Sequence, residues 1–341
     1  MTLRTDDIWV IGGGVIGLTS AIALAEDGLR VRLVRGEAAG ATTSAVAGGL
    51  CWPYRIQPYE RAVRWSVRSF QALTALARRP QETGARMVTG TMAVGTAPGE
   101  AAPHEPDDGV EDGLAAWYEA VPGLRRARPD ELLAGSASGW RARTPLVDMP
   151  AHLRYLEGRL TAAGGTVEQR TVASLEEAGR SAGVLVNCSG LGARDLVPDP
   201  DVHPVQGQLV IVENPGIEEW YVCADTGAAD TTYLLPQPYG LVLGGTAVEH
   251  AWSREPDPAV ARAIVARCAR HVPALAQARI LGHRVGLRPA RPSVRLEAER
   301  LAGGAVCVHN YGHGGAGVTV AWGCADEVLR TVREIRSGER A

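Results

Sequence analysis

The chain of 341 residues is 45% apolar, enough for a full core in one large domain or two interleaved ones, so extended disorder is set aside. A formal net charge of -3, a pI near 6.3 and the absence of any basic run leave no field to gather phosphate, so nucleic acid is not an expected partner. All 35 basic residues are Arg, and without lysine no internal Schiff base can form, which excludes pyridoxal phosphate chemistry.

Cys51, Cys188, Cys223, Cys268, Cys307 and Cys324 show no C-x-x-C pair or His-rich spacing, so no metal is expected and a reducing cytoplasm fits best. The first apolar run has no basic residues ordered as a signal n-region before it and breaks at Gly12, so the expectation is a soluble protein without signal peptide or span. The closing residues Gly338 to Ala341 lack a Ser-Lys-Leu type address.

In chain order, Ile8 to Ile11 reads as a strand, Val15 to Asp27 as a helix stopped by Gly28, and Leu29 to Val34 as a second strand parallel to the first. Arg61 to Arg79 is a helix with Val63, Ser66, Val67, Phe70 and Leu73 on one face and Arg64, Arg68 and Gln71 on the other. The polar, Pro- and Gly-rich stretch from Thr96 to Gly113 reads as an exposed loop. A helix over Ala151 to Ala163 leads to a strand from Thr166 to Val172, and Val184 to Val186 has the continuous apolar character of a buried parallel strand. Gln208 to Val212 and Thr232 to Leu243 are rich in β-branched and aromatic residues and read as an inserted sheet. Asp257 and Pro258 open a helix to Arg270, Val306 to His309 is a last strand, and a helix runs from about Gly317 to Arg336.

Three clusters carry chemistry. Gly12-Gly13-Gly14-Val15-Ile16-Gly17 fits G-x-G-x-x-G directly between a strand and a helix, where the glycines permit the tight turn, the approach of a pyrophosphate and close packing. The acid expected after the second strand is missing: Arg35 and Gly36 stand there, Glu37 is the nearest carboxylate, and Arg35 leaves open either a 2′-phosphate contact or a solvated strand end. The run His309 to Thr319 places Gly312, His313, Gly314, Gly315 and Gly317 before Val318 and Thr319 at a helix start, a setting suited to an electron-rich ligand. Val285 to Pro292 presents Arg288 and Arg291 from a proline-stiffened, extended backbone, a good way to hold a guanidinium fork for a carboxylate.

Together with Thr42 to Leu50, Trp52 to Tyr54, Val184 to Gly190, Leu243 to Gly245 and Trp252-Ser253, these clusters resemble the D-amino-acid oxidase family through nearly the whole chain. The resemblance implies an α/β (α+β overall) flavoprotein with a Rossmann-like FAD-binding domain (1–53, 144–200 and 283–341) and an interleaved antiparallel-sheet substrate domain (54–143 and 201–282). It implies that Arg288 pairs with a substrate carboxylate, Tyr233 bonds it, and the Gly315 carbonyl accepts from the substrate amine. Thr42, Thr43, Ser44, Gly48, Gly49 and Leu50 would contact non-covalent FAD, with Val172, Ser189 and Gly190 beside its adenosine end. Leu50, Trp52, Tyr54 and Ala229 would line the substrate pocket. The family's usual Gln beside the flavin is Trp52 here, and an aromatic on the loop before Tyr233 is Ala229, so an apolar side chain is the expected preference, with Arg55 the residue most able to overturn it.

The implied reaction is oxidation of a D-amino acid to a 2-oxo acid, ammonia and hydrogen peroxide in the cytoplasm, with oxygen as acceptor, no protein base, and room for a homodimer. His313 is expected to bond within its turn rather than act as a base. Two other readings are a related oxidase of glycine, sarcosine or a biosynthetic intermediate, and a nucleotide-binding protein without turnover.

Overall fold

The computed structural model describes residues 7–53, 56–95, 117–225 and 231–338. The loop expected from Thr96 to Gly113, and the pocket positions Tyr54, Arg55 and Ala229, lie outside the described residues. In chain order the strands are β1 (Asp7–Ile11), β2 (Arg30–Arg35), β3 (Ala85–Gly95), β4 (Arg125–Arg126), β5 (Ser136–Val147), β6 (Thr166–Gln169), β7 (Val184–Asn187), β8 (His203–Val212), β9 (Trp220–Asp225), β10 (Thr231–Gln237), β11 (Gly240–Gly244), β12 (Val248–Glu249), β13 (Ile280–Ala290), β14 (Arg295–Arg300) and β15 (Val306–Tyr311).

Six of them form a sheet in the order β14-β15-β7-β1-β2-β6, parallel except for β14 at its edge. Buried on both faces, β1 sends Ile8 and Val10 into the main core and Trp9 and Ile11 into a smaller one with Leu175 and Ala178. The other strands make a nine-stranded sheet, in which β13 adds to β8 and the long β3 and β5 pair antiparallel. The main core spans both sheets, joining Val10 and Leu33 to Leu146, Leu209, Trp220 and Leu235. On the far face of the second sheet, Val210, Leu234 and Leu243 pack under Ala261, Ile264 and Cys268 of the helix Pro258–His271.

Most expected elements are present within a few residues. The helix Tyr59–Leu76 buries Val63, Ser66, Phe70 and Leu73 and exposes Arg64, Arg68 and Gln71. Asp257 caps the helix Pro258–His271, its carboxylate accepting from the Ala259 amide at 2.7 Å. The strand expected from Thr166 to Val172 ends at Gln169. The β3–β5 pair was not anticipated, and the expected domain boundaries at 144 and 283 fall inside β5 and β13, which run on to Val147 and Ala290 in the nine-stranded sheet. Among the described residues no helix is long and apolar enough to cross a membrane.

Candidate active site

The glycine fingerprint divides into residues demanded by backbone packing and one that leaves space. Gly12, at φ +121°, lies so close to the end of β7 that a Cβ would overlap the Cys188 carbonyl, and a Cβ on Gly17 would overlap the Gly12 carbonyl. Gly14 would meet only the Ser44 hydroxyl, at 3.1 Å, and it faces partly open space. The same Ser44 oxygen accepts the first amide of the helix Val15–Glu26, from Val15 at 3.0 Å.

A second helix start converges here. A Cβ on Gly317 would stand 3.9 Å from Val15 and 4.0 Å from Ile16, so the first turns of the helices Val15–Glu26 and Gly317–Ser337 touch. One turn further on, the Thr19 hydroxyl lies 3.2 Å from the Ala321 carbonyl. Each helix start carries about half a positive charge on amides without intrahelical partners. Beside Gly12, the Ser189 hydroxyl is buried with no hydrogen-bond partner among the described residues. An orphaned hydroxyl, two adjoining helix starts and an unfilled glycine surface fit the pyrophosphate of a dinucleotide.

The residues at the end of β2 are otherwise engaged. Arg35 lays its stem over Gly13 and pairs with Glu157, so its charge is taken up; Glu37 is exposed and reaches Arg254 at 3.4 Å. Gly36 faces Thr171, and Val172 packs at the margin of the small core under Trp9 and Val34. Gly190 lies against Pro289.

The segment from Thr42 to Leu50 links the cradle to β13. The Thr42 hydroxyl donates to the Ala39 carbonyl at 2.7 Å, whereas that of Thr43 crosses to the Leu287 carbonyl at 2.8 Å, one residue before Arg288. Gly48 accepts from Gln237 through its carbonyl, Gly49 packs directly on Val147, and Leu50 bridges to Leu146. Trp52 is held at both backbone atoms by the Thr319 hydroxyl, 3.2 Å from its nitrogen and 3.0 Å from its oxygen, and its ring lies with Trp117 and Trp220 at centroid distances of 6.0 and 5.8 Å. Val318 is buried next to this contact.

The two arginines of β13 and its exit have different surroundings. Arg291 bonds Asp199 at 3.0 Å and the Ser293 carbonyl at 2.8 Å, its stem covering Gly312. Arg288 has no carboxylate partner among the described residues; its guanidinium lies against Gly207, where a Cβ would overlap it, and donates to the Thr246 carbonyl at 3.0 Å. Its stem passes 3.5 Å from where a Cβ on exposed Gly315 would be. Tyr233 lies flat across Gly244 and Gly245, an approach that only glycines permit. Burial raises its phenol pKa, opposed by the charge of Arg288, so the hydroxyl is a donor next to the guanidinium.

Neither histidine of the glycine-rich turn faces this space. His313 is buried with Nε2 3.7 Å from Cys324, and burial pushes its pKa down to about 3, leaving it neutral. His309 reaches Glu299 at 3.1 Å. Gly314 donates its amide to the Pro289 carbonyl at 2.8 Å, tying the turn to β13. Sequence reasoning missed Gly207 and Thr246, which shape the setting of Arg288; no local signal marks them, because β8 and the segment after β11 meet β13 only through the sheet.

Residues 7–330 match the FAD dependent oxidoreductase (DAO) family. A D-amino-acid oxidase from Streptomyces coelicolor is 56% identical over 96% of this chain and 97% of its own, and one from Rubrobacter xylanophilus is 50% identical over 93% of each. Human D-aspartate oxidase is 33% identical over 97% of this chain and 96% of its own. Among solved structures, glycine oxidase from Geobacillus kaustophilus superposes with a TM-score of 0.78 at 20% identity over 96% of this chain and 94% of that one, a likeness of fold. With the cradle built as such a cofactor requires, the chain belongs to the DAO family of FAD-dependent oxidoreductases and takes FAD as its cofactor.

Proposed function

We propose that the protein oxidatively deaminates D-amino acids, as the names of its bacterial relatives say of them, and that Arg288 is the carboxylate anchor. The observation that carries this reading is a guanidinium with no carboxylate partner among the described residues, set beside a tyrosine donor and next to the FAD cradle.

Arg288 offers a fork to the substrate carboxylate and Tyr233 a further hydrogen bond, which together fix the direction of the Cα–H bond; such orientation contributes about 7 to 11 kcal/mol of barrier reduction in favourable cases. The Gly315 carbonyl, beside the Arg288 stem, would accept from the substrate amine and so favour one configuration at Cα. FAD, held at the Gly12–Gly17 turn beside Ser44 and Ser189, would supply the two-electron acceptor for the Cα hydrogen, with oxygen as the terminal acceptor giving hydrogen peroxide. Water then hydrolyses the imino acid to the 2-oxo acid and ammonia. No side chain need remove the Cα proton, in keeping with the inward, neutral state of His313. In this reading the six-stranded sheet belongs to the FAD half, with 1–53, 144–200 and 283–341 as its approximate segments, and the nine-stranded sheet carries the substrate.

An apolar side chain is the proposed preference, supported by Trp52, whose ring packs on the core residues Trp117 and Trp220, since a buried carboxylate without a partner is strongly disfavoured. Peroxide release measured across D-Ala, D-Val, D-Leu, D-Met, D-Phe, D-Asp, D-Glu, their L forms, glycine and sarcosine tests the proposal. Turnover of apolar D forms above the rest is expected. D-Asp ranking first overturns the apolar preference, and glycine or sarcosine ranking first overturns the D-amino acid assignment.

A further inference from the structure

Outside this site, at the outer end of β8, three ligand-type side chains converge: His203 opens β8, Glu249 closes β12 and His250 follows it. β12 pairs antiparallel with β8, Glu249 opposite Val205, and the His250 amide donates to the Pro204 carbonyl at 2.8 Å. The register therefore folds the next residue back over His203, and the imidazole centroids stand 4.5 Å apart. One donor atom from each of the three side chains lies within 4.8 Å of the other two.

The ligand atoms of the two rings and the carboxylate face one another. His203 Nδ1 lies 3.1 Å from the Asp201 carbonyl, which can only accept, so this nitrogen carries the ring hydrogen. Nε2, on the other side of the ring, lies 2.9 Å from a Glu249 carboxylate oxygen, so two ligand-type atoms face each other there. A backbone carbonyl fixing the far nitrogen is also how metal-binding imidazoles are commonly oriented. His250 sits at φ +60°, in the left-handed region, and this turn brings its ring over His203.

We propose that His203, Glu249 and His250 bind one zinc-type divalent ion, with water completing the shell. Two imidazoles and one carboxylate suit zinc and its first-row neighbours rather than magnesium or calcium, which prefer all-oxygen sets. Opening the His203–Glu249 separation by about half an ångström reaches tetrahedral spacing, and Glu249 is exposed enough to move. The ion fastens β12 to β8. One residue, Ala247, separates the strand from Thr246, whose carbonyl holds Arg288, so occupancy also steadies the segment that buttresses the anchor.

The test uses FAD-loaded protein stripped with EDTA and dialysed, titrated with zinc chloride by calorimetry at pH 7.5, with magnesium chloride as control. One zinc equivalent of about micromolar affinity is expected, with a rise in thermal midpoint and no response to magnesium. Glu249→Gln should weaken it at least tenfold, and His203→Gln with His250→Gln should abolish it. His250→Gly relieves the left-handed conformation while removing a ligand, so it should keep or raise the metal-free midpoint and lose most of the zinc-induced shift. That variant keeps the test valid if the double variant folds poorly. Absence of a zinc equivalent in the wild type, or full retention of the zinc shift in His250→Gly, overturns the proposal.

Discussion

At the level of single residues, the expected roles of Arg288 and Tyr233 rest on what surrounds them. Removing a charge-assisted fork costs about 1.5 to 3 kcal/mol, so Arg288→Ala should lower kcat/KM by at least about tenfold. Arg288→Lys should not restore it, because an ammonium lacks the planar pair of donors and would lose the flat contact with Gly207. Steady-state peroxide assays decide, and wild-type turnover in Arg288→Ala would remove it as the anchor. Tyr233→Phe should cost about 0.5 to 1.5 kcal/mol in kcat/KM. Because burial raises the phenol pKa, no loss of kcat/KM attributable to this hydroxyl should occur below about pH 10, the ordinary tyrosine value. A limb between pH 7 and 9 that disappears in Tyr233→Phe would contradict that assignment.

Among elements, the strand–turn–helix fingerprint separates two kinds of glycine. A methyl at Gly17 would overlap the Gly12 backbone, which has no rotamer to yield, so Gly17→Ala should destabilise even FAD-free protein by about 1 to 3 kcal/mol or more. A methyl at Gly14 meets only the Ser44 hydroxyl and otherwise projects into the cradle. Gly14→Ala should therefore fold normally and weaken FAD binding at least tenfold, read by recovery of flavin fluorescence on dilution. Equal FAD affinity in Gly14→Ala and wild type would remove that glycine from the cradle. The helix starts and the first parallel strands were legible because their punctuation is local: Gly28 after one helix, Asp257 and Pro258 before another, and a continuous apolar Val184 to Val186. β3 and β5 were not, since Met87 to Gly95 mixes Thr, Gly and Met without clean alternation and gains its strand character from a partner more than forty residues away.

For the whole molecule, buried neutral histidines link stability to pH. His152 donates Nδ1–H to the Thr83 carbonyl at 2.7 Å, and burial pushes its pKa down to about 4, as it pushes His313 to about 3. Unfolded, both titrate near 6.5, so between that value and about 4 the unfolded chain holds more protons and stability falls as the pH falls. At pH 5 each site should cost about 2 kcal/mol relative to pH 7.5. Denaturant midpoints at pH 5, 6 and 7.5 should decline accordingly, with a shallower slope in His313→Gln; an unchanged slope would mean that this histidine is not buried neutral. From the sequence alone came the dinucleotide turn, the parallel pair of strands around it, the later buried parallel strand Val184 to Val186, the exclusion of lysine chemistry and a proline-stiffened arginine segment, all carried by contiguous residues. Only the tertiary structure decided that, among the described residues, Arg288 rather than Arg291 keeps its charge free of carboxylates, that Arg35 is taken up by Glu157, and that His313 turns inward to Cys324. Each of these depends on which distant strand or helix lies opposite, and the choice between a paired and an unpaired charge is made by partners far apart in the chain, where local periodicity carries no information.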